Sequence, residues 1–236
     1  MEQRIEPRVG VVIVAGGKGL RMGGSLPKQF RFLGQLPILA HSINTFAQAL
    51  SSVEIVVVLP AESIEYWQNL SSRFTVASHR TVEGGEERFH SVKRGAEALS
   101  EGCEIIAVHD GVRPLCSEAL IQRCVKEALA SGSAVPVVSV VDSFREVGDD
   151  GISKIVDRSK LRAVQTPQLF DAVMLRRAYA QPYKITFTDD ASLVESLGER
   201  VWLVEGERSN IKITTPEDML YAEAILESKQ SQGRDE

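Results

Sequence analysis

The hydrophobic positions of this chain fall into short continuous runs that are separated by segments with helical spacing. Three runs, Val9–Ala15, Val53–Leu59 and Glu104–Val108, predict strands that are covered on both faces, as in parallel sheets. Between them, Ile38–Leu50 and Arg88–Leu99 carry apolar residues every three or four positions, which predicts helices. Strand alternating with helix indicates βαβ units with right-handed crossovers. We therefore expect an α/β fold with a doubly wound, mostly parallel sheet.

The alternation is interrupted once and then resumes. Residues 142–164 predict two short strands around an Asp150-Gly151 turn. Because an isolated hairpin is marginally stable in water, we expect this arm to pack against a second subunit. The other predicted elements are helices from Ser117 to Ala130, from Asp171, across 189–197 and after Pro216, with strands near 201–204 and 211–213. We predict a single domain over 1–228, with 142–164 as a dimerisation arm and 229–236 as a flexible polar tail.

Composition and charge narrow the class of protein. The 236-residue chain has 27 Lys plus Arg and 32 Asp plus Glu, a net charge of −5, with 43% hydrophobic and 25% charged residues. These fractions are typical of globular domains and exclude a wholly disordered or fibrous chain. The acidic balance argues against a nucleic-acid partner, because such domains normally carry a basic surplus. The first apolar run is too short for a membrane span, so we expect no membrane partner.

The cysteines and histidines indicate no metal or disulfide framework. Cys103, Cys116 and Cys124 are odd in number and form no Cys-x-x-Cys pair, so neither a disulfide scaffold nor a zinc site is predicted. The four histidines are scattered without the i, i+4 spacing of a metal site. A reducing cytoplasm is the expected compartment.

A glycine-rich loop follows the first predicted strand. Residues 15–22 read Ala-Gly-Gly-Lys-Gly-Leu-Arg-Met, and Lys28 follows shortly after. Glycines at this place let backbone N–H groups approach phosphates closely. The loop lacks the Gly-Lys-Ser/Thr of a Walker A motif, and Met22 stands where a dinucleotide fingerprint has its third glycine. Arg21 and Lys28 supply charge suited to a triphosphate; the alternative is an ordinary tight turn with solvated cations.

A second motif follows the third predicted strand. His109-Asp110-Gly111 and Arg113 come at the carboxyl end of that strand, where ligands bind in open α/β sheets. A ligand site is favoured over a surface ion pair of Asp110 with Arg113, which would contribute under about 1 kcal/mol. His109 is interpreted as a satisfied buried histidine rather than as a catalytic one.

Taken together, these motifs resemble those of the 2-C-methyl-D-erythritol 4-phosphate cytidylyltransferase family, whose fold is a Rossmann-like nucleotidyltransferase fold. The resemblance extends from about Val9 to Leu226. The further matching segments are Gly84-Gly85-Glu86-Glu87-Arg88 with Ser91, Val156-Asp157-Arg158, Thr166-Pro167-Gln168, Thr188-Asp189-Asp190-Ala191-Ser192 and Asn210-Ile211-Lys212. The ordered set is specific, although each motif alone is weak.

The resemblance implies an enzyme, EC 2.7.7.60, that transfers CMP from CTP to 2-C-methyl-D-erythritol 4-phosphate and releases pyrophosphate. It implies CTP and this alcohol phosphate as partners, Mg²⁺ bound mainly through the CTP phosphates, a role in the non-mevalonate isoprenoid pathway, and a cytoplasmic homodimer with exchanged arms. The alternatives are a cytidylyltransferase for another alcohol phosphate such as ribitol 5-phosphate, a glycosyltransferase, and a non-catalytic scaffold. A glycosyltransferase would normally carry an Asp-x-Asp motif, and this sequence has none.

The resemblance also implies a role for each matching residue. The implied catalytic residues are Arg21, Lys28, Arg158 and Lys212. The implied nucleotide contacts are Ala15, Gly16, Gly17, Gly19, Gly85, Ser91, Asp110 and Gly111. The implied acceptor contacts are Arg113, Ser143, Thr166 and Thr188. Gly85 and Ser91 would read the cytosine edge, and Ser143 and Arg158 would reach the neighbouring subunit's site. No protein ligand to the metal is assigned.

Overall fold

The computed structural model describes residues 7–17 and 26–232. The strands are β1 (Val9–Val14), β2 (Phe32–Leu33), β3 (Leu36–Pro37), β4 (Val53–Leu59), β5 (Arg80–Glu83), β6 (Ile105–Asp110), β7 (Ser133–Ser139), β8 (Phe144–Val147), β9 (Ser153–Val156), β10 (Arg162–Val164), β11 (Gln168–Asp171) and β12 (Leu203–Glu205). The α-helices are α1 (Ile38–Ala49), α2 (Ala61–Ser71), α3 (Arg88–Ala98), α4 (Glu118–Ser131), α5 (Ala172–Tyr179), α6 (Asp190–Glu195) and α7 (Pro216–Gln232).

The central sheet confirms the predicted α/β class. β1 lies between β4 and β6 and is parallel to both, and β4 is parallel to β5. On the other side, β11 runs antiparallel between β6 and β7, while β10 and β12 also pair with β7. The sheet is therefore mostly parallel, with an antiparallel insertion beside β6.

Both faces of the sheet are covered, which explains the continuous apolar runs. Along β1, Val11 and Ile13 join one core with α1 and α4, whereas Val12 joins the opposite core with α3, α5 and α6. All three side chains are fully buried. Since successive residues of a strand point to opposite faces, helices on both sides require apolar residues at every position.

Several element ends follow from local sequence. The Ser117 hydroxyl accepts a hydrogen bond from the Leu120 N–H, which caps α4 as expected, and Gly132 ends that helix with φ at 83°. Asp171 caps α5 by accepting from the Met174 N–H. The Thr215 hydroxyl accepts from the Asp218 N–H at the start of α7. Within the described residues, the longest helices are too short or too polar to cross a bilayer.

The structure differs from the sequence-based predictions at several segments. β6 extends through Asp110, two residues beyond the predicted end. Residues 211–213 form an irregular segment instead of a strand, with the Ile213 N–H donating to the Val112 carbonyl. α7 continues to Gln232, so residues 229–232, expected in the flexible tail, are helical.

The expected arm is divided between two structures. β8 and β9 form a separate antiparallel hairpin around the predicted turn, with Phe144 opposite Val156. β10, which lies at the end of the 142–164 segment, instead joins the central sheet by pairing with β7. The protruding part is therefore the hairpin itself, and 162–164 anchors its return to the domain.

Candidate active site

A cluster of opposite charges occupies the carboxyl end of β6. The Asp110 carboxylate is 3.0 Å from the Lys212 Nζ and 3.3 Å from the Arg113 Nε. The Asp110 and Arg113 side chains are only 12% and 11% exposed, so this pair is not the surface ion pair considered as the alternative. The structure therefore brings Lys212, which is distant in sequence, to the neighbouring Asp110 and Arg113 at the sheet edge where ligands bind in α/β folds.

These cations determine the protonation of Asp110. Burial alone would raise the pKa of this carboxyl, but the positive charges of Lys212, Arg88 and Arg113 outweigh burial and hold its pKa well below the usual range. Asp110 is therefore ionised at neutral pH and partly offsets the positive charge of the cluster.

The segment that carries Lys212 is held against β6 by its backbone. The Arg113 Nη1 donates to the Asn210 carbonyl at 2.8 Å, and the Ile213 N–H donates to the Val112 carbonyl. The Lys28 Nζ donates to the Ile213 carbonyl at 3.1 Å. Lys28, Arg113 and Lys212, predicted from three separate motifs, therefore converge at one place.

The glycine-rich loop begins beside this cluster. Ala15 is buried and its N–H donates to the Val58 carbonyl. A Cβ built on Gly17 would lie 3.9 Å from the Lys28 Cε, which places the loop next to that lysine. Gly16 has open space around it. Two predicted site residues, Arg21 and Gly19, lie outside the described residues.

Gly111 permits close packing directly after β6. A Cβ at this position would be 3.0–3.1 Å from Leu39, Ala15 and Ile13 side-chain atoms, tighter than ordinary contact. The Gly111 N–H also donates to the Val14 carbonyl at 2.9 Å. The ends of β1 and β6 are thereby held together beneath the glycine loop.

Thr166 and His109 form a buried hydrogen-bonded unit under the cluster. The Thr166 hydroxyl accepts from the Asp110 N–H at 3.0 Å and lies 3.2 Å from the His109 Nδ1. The His109 Nε2 faces the Arg113 carbonyl at 3.2 Å. Complete burial, the largest influence, lowers the pKa of His109 to about 4. His109 is therefore a neutral, satisfied histidine, as predicted.

The Thr166 hydroxyl faces into the protein. Only 5% of this residue is exposed, and its carbonyl accepts from the Asn210 Nδ2 at 2.8 Å. These contacts attach the segment before β11 to both Asp110 and the Lys212 segment. The hydroxyl that the resemblance implies for the acceptor is thus already used in fixing the end of β6.

The predicted base-reading residues form a compact loop after β5. The Ser91 Oγ accepts from the Gly85 N–H at 3.1 Å, and the Arg94 Nη1 donates to the Gly84 carbonyl at 2.7 Å. A Cβ on Gly85 would lie 2.3 Å from the His90 Cβ, so a side chain does not fit. Gly85 and Ser91 are therefore in contact, as a shared role requires.

Arg88 and Asp190 form an ion pair that the sequence analysis missed. Two guanidinium nitrogens of Arg88 donate to the two carboxylate oxygens of Asp190 at 3.0 and 2.6 Å. The Tyr179 hydroxyl donates to the same carboxylate. Arg88 and Asp190 are 102 positions apart, so their spacing does not indicate a contact, although each lies in a segment that carries the family resemblance.

Thr188 lies on an ordered segment before α6. Asp189 caps α6 by accepting from the Ser192 N–H at 2.8 Å, and the Thr188 N–H donates to the Ser192 hydroxyl. The Gln168 side-chain amide donates to Asp189 at 3.0 Å and accepts from the Ala191 N–H at 2.9 Å. Thr188 itself is exposed, so it is open to a ligand.

The arm residues stand apart from the cluster. Ser143 and Arg158 are exposed, and the Arg158 guanidinium donates to the Val141 carbonyl at the base of the hairpin. Within residues 7–17 and 26–232, neither Ser143 nor Arg158 forms a hydrogen bond or ion pair with the Asp110 cluster. Within the described residues, one chain therefore gathers Lys28, Arg113 and Lys212 but not the arm residues.

The side chains at this site indicate how a metal ion could be held. In the described part of the chain, histidine, cysteine, aspartate and glutamate side chains form no group of three or more that would hold a metal ion. Asp110 is a single carboxylate already paired with two cations. This set fits a metal ion carried mainly by ligand phosphates, because Mg²⁺ retains waters and takes few protein carboxylates beside phosphates.

Comparisons with known proteins agree with this geometry. Residues 9–228 match the family model described as 2-C-methyl-D-erythritol 4-phosphate cytidylyltransferase. Proteins of that name from Bacteroides fragilis and Phocaeicola vulgatus are 47% and 46% identical, covering 91% and 92% of this chain and 98% of each relative. The crystal structure of 4-diphosphocytidyl-2C-methyl-D-erythritol synthase from Anaerococcus prevotii superposes with a TM-score of 0.80 at 29% identity, covering 94% of this chain and 96% of that one.

Proposed function

The chain belongs to the 2-C-methyl-D-erythritol 4-phosphate cytidylyltransferase family, and from that premise we propose how its residues perform the reaction. The enzyme, EC 2.7.7.60, transfers CMP from CTP to 2-C-methyl-D-erythritol 4-phosphate in the non-mevalonate isoprenoid pathway. The products are 4-diphosphocytidyl-2-C-methyl-D-erythritol and pyrophosphate. Ribitol 5-phosphate, the alternative acceptor, is not favoured by these relatives.

The observation that carries the proposal is the convergence of Lys28, Arg113 and Lys212 at the end of β6. The reaction joins two anions: a phosphate oxygen of the acceptor attacks the α-phosphorus of CTP, and the bond from that phosphorus to the pyrophosphate oxygen breaks. Two like charges about 4 Å apart repel by about 4 kcal/mol at an effective dielectric constant of about 20. Converging cations remove this obstacle.

Acid–base catalysis is not required at the nucleophile. A phosphomonoester has its second pKa near 6 and is mostly a dianion at neutral pH. Neutral His109 is hydrogen-bonded beneath the site, which supports a structural role for it. Positioning and electrostatic stabilisation of the transferring phosphoryl group then supply the catalysis.

Each group of site residues takes one part of the substrates. Arg21, Lys28 and the loop at Ala15, Gly16, Gly17 and Gly19 hold the triphosphate, and Lys212 lies beside the reacting phosphates. Gly85 and Ser91 read the cytosine, while Asp110 and Gly111 contact the ribose. Arg113 and Thr188 face the acceptor phosphate, whereas Thr166, whose hydroxyl accepts from the Asp110 N–H, holds the end of β6 in place. The contacts among Lys28, Asp110, Arg113 and Lys212 support this division.

The arm completes the site from a second subunit. Ser143 and Arg158 are exposed on a hairpin that carries its own apolar surface, including Ile155 at 76% exposure. In a homodimer with exchanged arms, Arg158 would reach the acceptor in the neighbouring active site. This arrangement accounts for a cation on the arm that is separate from the cluster of its own chain.

The metal and the compartment belong to the same proposal. Mg²⁺ would be held mainly through the CTP phosphates, with Asp110 as the candidate carboxylate beside it, and when bound it would neutralise charge on the triphosphate. The three cysteines are buried free thiols, which supports a cytoplasmic setting. Burial, as the largest influence, raises the pKa of Cys124 to about 12, so this thiol is unreactive.

Pyrophosphate release tests the function. With CTP and Mg²⁺, the enzyme is expected to release pyrophosphate with 2-C-methyl-D-erythritol 4-phosphate and at least about tenfold more slowly with ribitol 5-phosphate at equal concentration. Equal or faster turnover with ribitol 5-phosphate contradicts the assignment of the acceptor.

The Lys28→Ala variant tests the cation cluster in the same assay. Its kcat is expected to fall by about two to three orders of magnitude, because one fixed positive charge is lost where negative charge accumulates. Lys126→Ala, at an exposed lysine of α4, is the matched control and should retain the unchanged rate. Near-normal turnover by a folded Lys28→Ala enzyme contradicts the role of Lys28.

A further inference from the structure

A buried ionic contact joins the first residue of α3, which follows the loop after β5, to the first residue of α6. The Asp190 side chain is fully buried, and that of Arg88 is 33% exposed. The carboxylate of Asp190 accepts from two nitrogens of Arg88 and from the hydroxyl of Tyr179, which is 3% exposed. Both carboxylate oxygens are therefore occupied by donors with fixed directions.

Aromatic rings also pack between α3 and the residues that lead to α6. The Phe89 ring lies 5.1 Å from that of Tyr179, 5.5 Å from Tyr183 and 6.2 Å from Phe187, measured between centroids. Phe89 directly follows Arg88 on α3, whereas Tyr183 and Phe187 belong to the connection that leads to Thr188. The ionic contact is thus supported by packing between the same two segments.

The two segments serve different substrates under the proposed function. The loop 84–91 contains Gly85 and Ser91, assigned there to the cytosine, and 188–190 begins with Thr188, assigned to the acceptor. Gln168 fixes the second segment from its other side through Asp189. The position of Thr188 relative to the base loop therefore depends on the contacts among Arg88, Asp190 and Tyr179.

We propose that Arg88, Asp190 and Tyr179 act as positioning residues that fix the acceptor-binding segment relative to the base-binding loop. The proposal rests on the proposed function for the identity of the two substrates. Loss of the contact is expected to weaken both substrates together, because one shared link orients both binding segments. A residue serving only one substrate would change only one Michaelis constant.

The Arg88–Asp190 contact is sensitive to any substitution that removes the charge of one partner. Removing one partner of a buried ion pair leaves the other charge uncompensated, which costs more than the pair contributes. The charge of Arg88 also helps to lower the pKa of the Asp110 carboxyl. The triad therefore lies within electrostatic reach of the charge cluster at the end of β6.

The Asp190→Asn variant tests the proposal, with the KM values for CTP and for 2-C-methyl-D-erythritol 4-phosphate measured separately. Both are expected to rise by about tenfold, because small misplacements of binding groups have large kinetic effects. Asp190→Glu, which restores a carboxylate, is expected to recover part of both losses. The dissociation constant of CTP, measured by equilibrium dialysis without the acceptor, is expected to rise in parallel.

A matched control uses the exposed ion pair of the same region. Arg177 lies on α5, as Tyr179 does, and pairs with Glu199; the two side chains are 57% and 35% exposed. Glu199→Gln is expected to leave both Michaelis constants unchanged. A purely structural role for Asp190 would lower the melting temperature of Asp190→Asn while leaving both constants at their original values, and that result would overturn the proposal.

Tyr179→Phe keeps the test decisive if Asp190→Asn does not fold. It removes one hydrogen bond to Asp190 and keeps the ring, so both constants should rise by about threefold. Unchanged constants in this folded variant would also overturn the positioning role. The proposed function and the positioning role can be tested separately. If the unchanged enzyme does not turn over the methylerythritol acceptor, the proposed function is wrong. Equilibrium dialysis of CTP with the variants still tests the role of Arg88, Asp190 and Tyr179 in nucleotide binding.

Discussion

Two cations contact the same carboxylate but differ in their freedom to move. Arg113 is 11% exposed at its side chain and also donates to the Asn210 carbonyl, so its position is fixed. The Lys212 side chain is 44% exposed, and its ammonium is bound through a flexible stem. Lys212 is therefore able to turn from Asp110 toward a bound phosphate, whereas Arg113 keeps Asp110 compensated.

His109 provides a residue-scale prediction about pH. Its pKa is about 4 in the folded protein, against 6.5 for an ordinary histidine. Between these values the unfolded chain binds the proton and the folded protein does not, so the free energy of unfolding falls as the pH falls through this window. We expect His109 to account for a loss of about 2 kcal/mol between pH 7 and pH 5. Urea unfolding at the two pH values measures this loss.

The comparison variant for this prediction is His109→Gln, which does not titrate. Between pH 7 and pH 5, its free energy of unfolding should fall by about 2 kcal/mol less than that of the unchanged protein. Some dependence will remain, because burial also lowers the pKa of His41. Identical pH dependence in the two proteins would show that folding does not lower the pKa of His109, which would contradict the prediction.

At the scale of elements, the strands and their ligand edge were predictable. β1 and β4 need apolar residues at each position because helices cover both faces, and this produces the continuous runs at Val9 and Val53. Parallel strands bring their carboxyl ends to one edge, so Lys28 and Asp110 could be expected close together. Lys212 pairs with Asp110 directly, and Lys28 donates to the carbonyl of Ile213, the residue that follows Lys212.

Long-range polar contacts could not be predicted in the same way. The pairing of Arg88 with Asp190 depends on how α3 and α6 pack, which no local pattern encodes. Residues 211–213 are apolar enough to suggest a strand, but there the backbone bonds to Val112 and accepts from Lys28 instead of forming a ladder. In both cases tertiary contacts, and not local propensity, determine the structure.

The prediction at the scale of elements concerns the arm that contains the hairpin β8–β9. Arg158→Ala removes the arm cation that the proposed function assigns to the acceptor of the neighbouring subunit. The KM for 2-C-methyl-D-erythritol 4-phosphate is expected to rise by about tenfold or more, and that for CTP by much less, because lost charge-assisted contacts mainly weaken the group that they bind.

A second arm arginine provides the control for this variant. Arg145 donates to the Ser153 hydroxyl within the hairpin and is exposed. Arg145→Ala should leave both Michaelis constants near their original values. Equal effects of Arg158→Ala on CTP and on the acceptor would contradict a role confined to the acceptor.

At the scale of the whole molecule, the hairpin exposes more apolar surface than a solvated element needs. Val147, Ile152 and Ile155 are 67%, 68% and 76% exposed, and Phe144 is 46% exposed. A two-stranded hairpin without further packing is marginally stable in water. Burial of this surface against another copy of the chain would stabilise the arm and bring Arg158 to a second active site.

The Ile155→Asp variant tests that assembly. We expect the unchanged protein to sediment as a dimer and the variant, at the same concentration, as a monomer, because a charge in a buried interface is costly. Val173→Asp is the matched control, because Val173 on α5 is also 76% exposed but lies outside the arm, and it should remain dimeric. The monomeric variant should share the raised acceptor KM of Arg158→Ala, since both changes remove the same cation from the neighbouring site. A monomer with an unchanged acceptor KM would mean that each chain completes its own site without the arm.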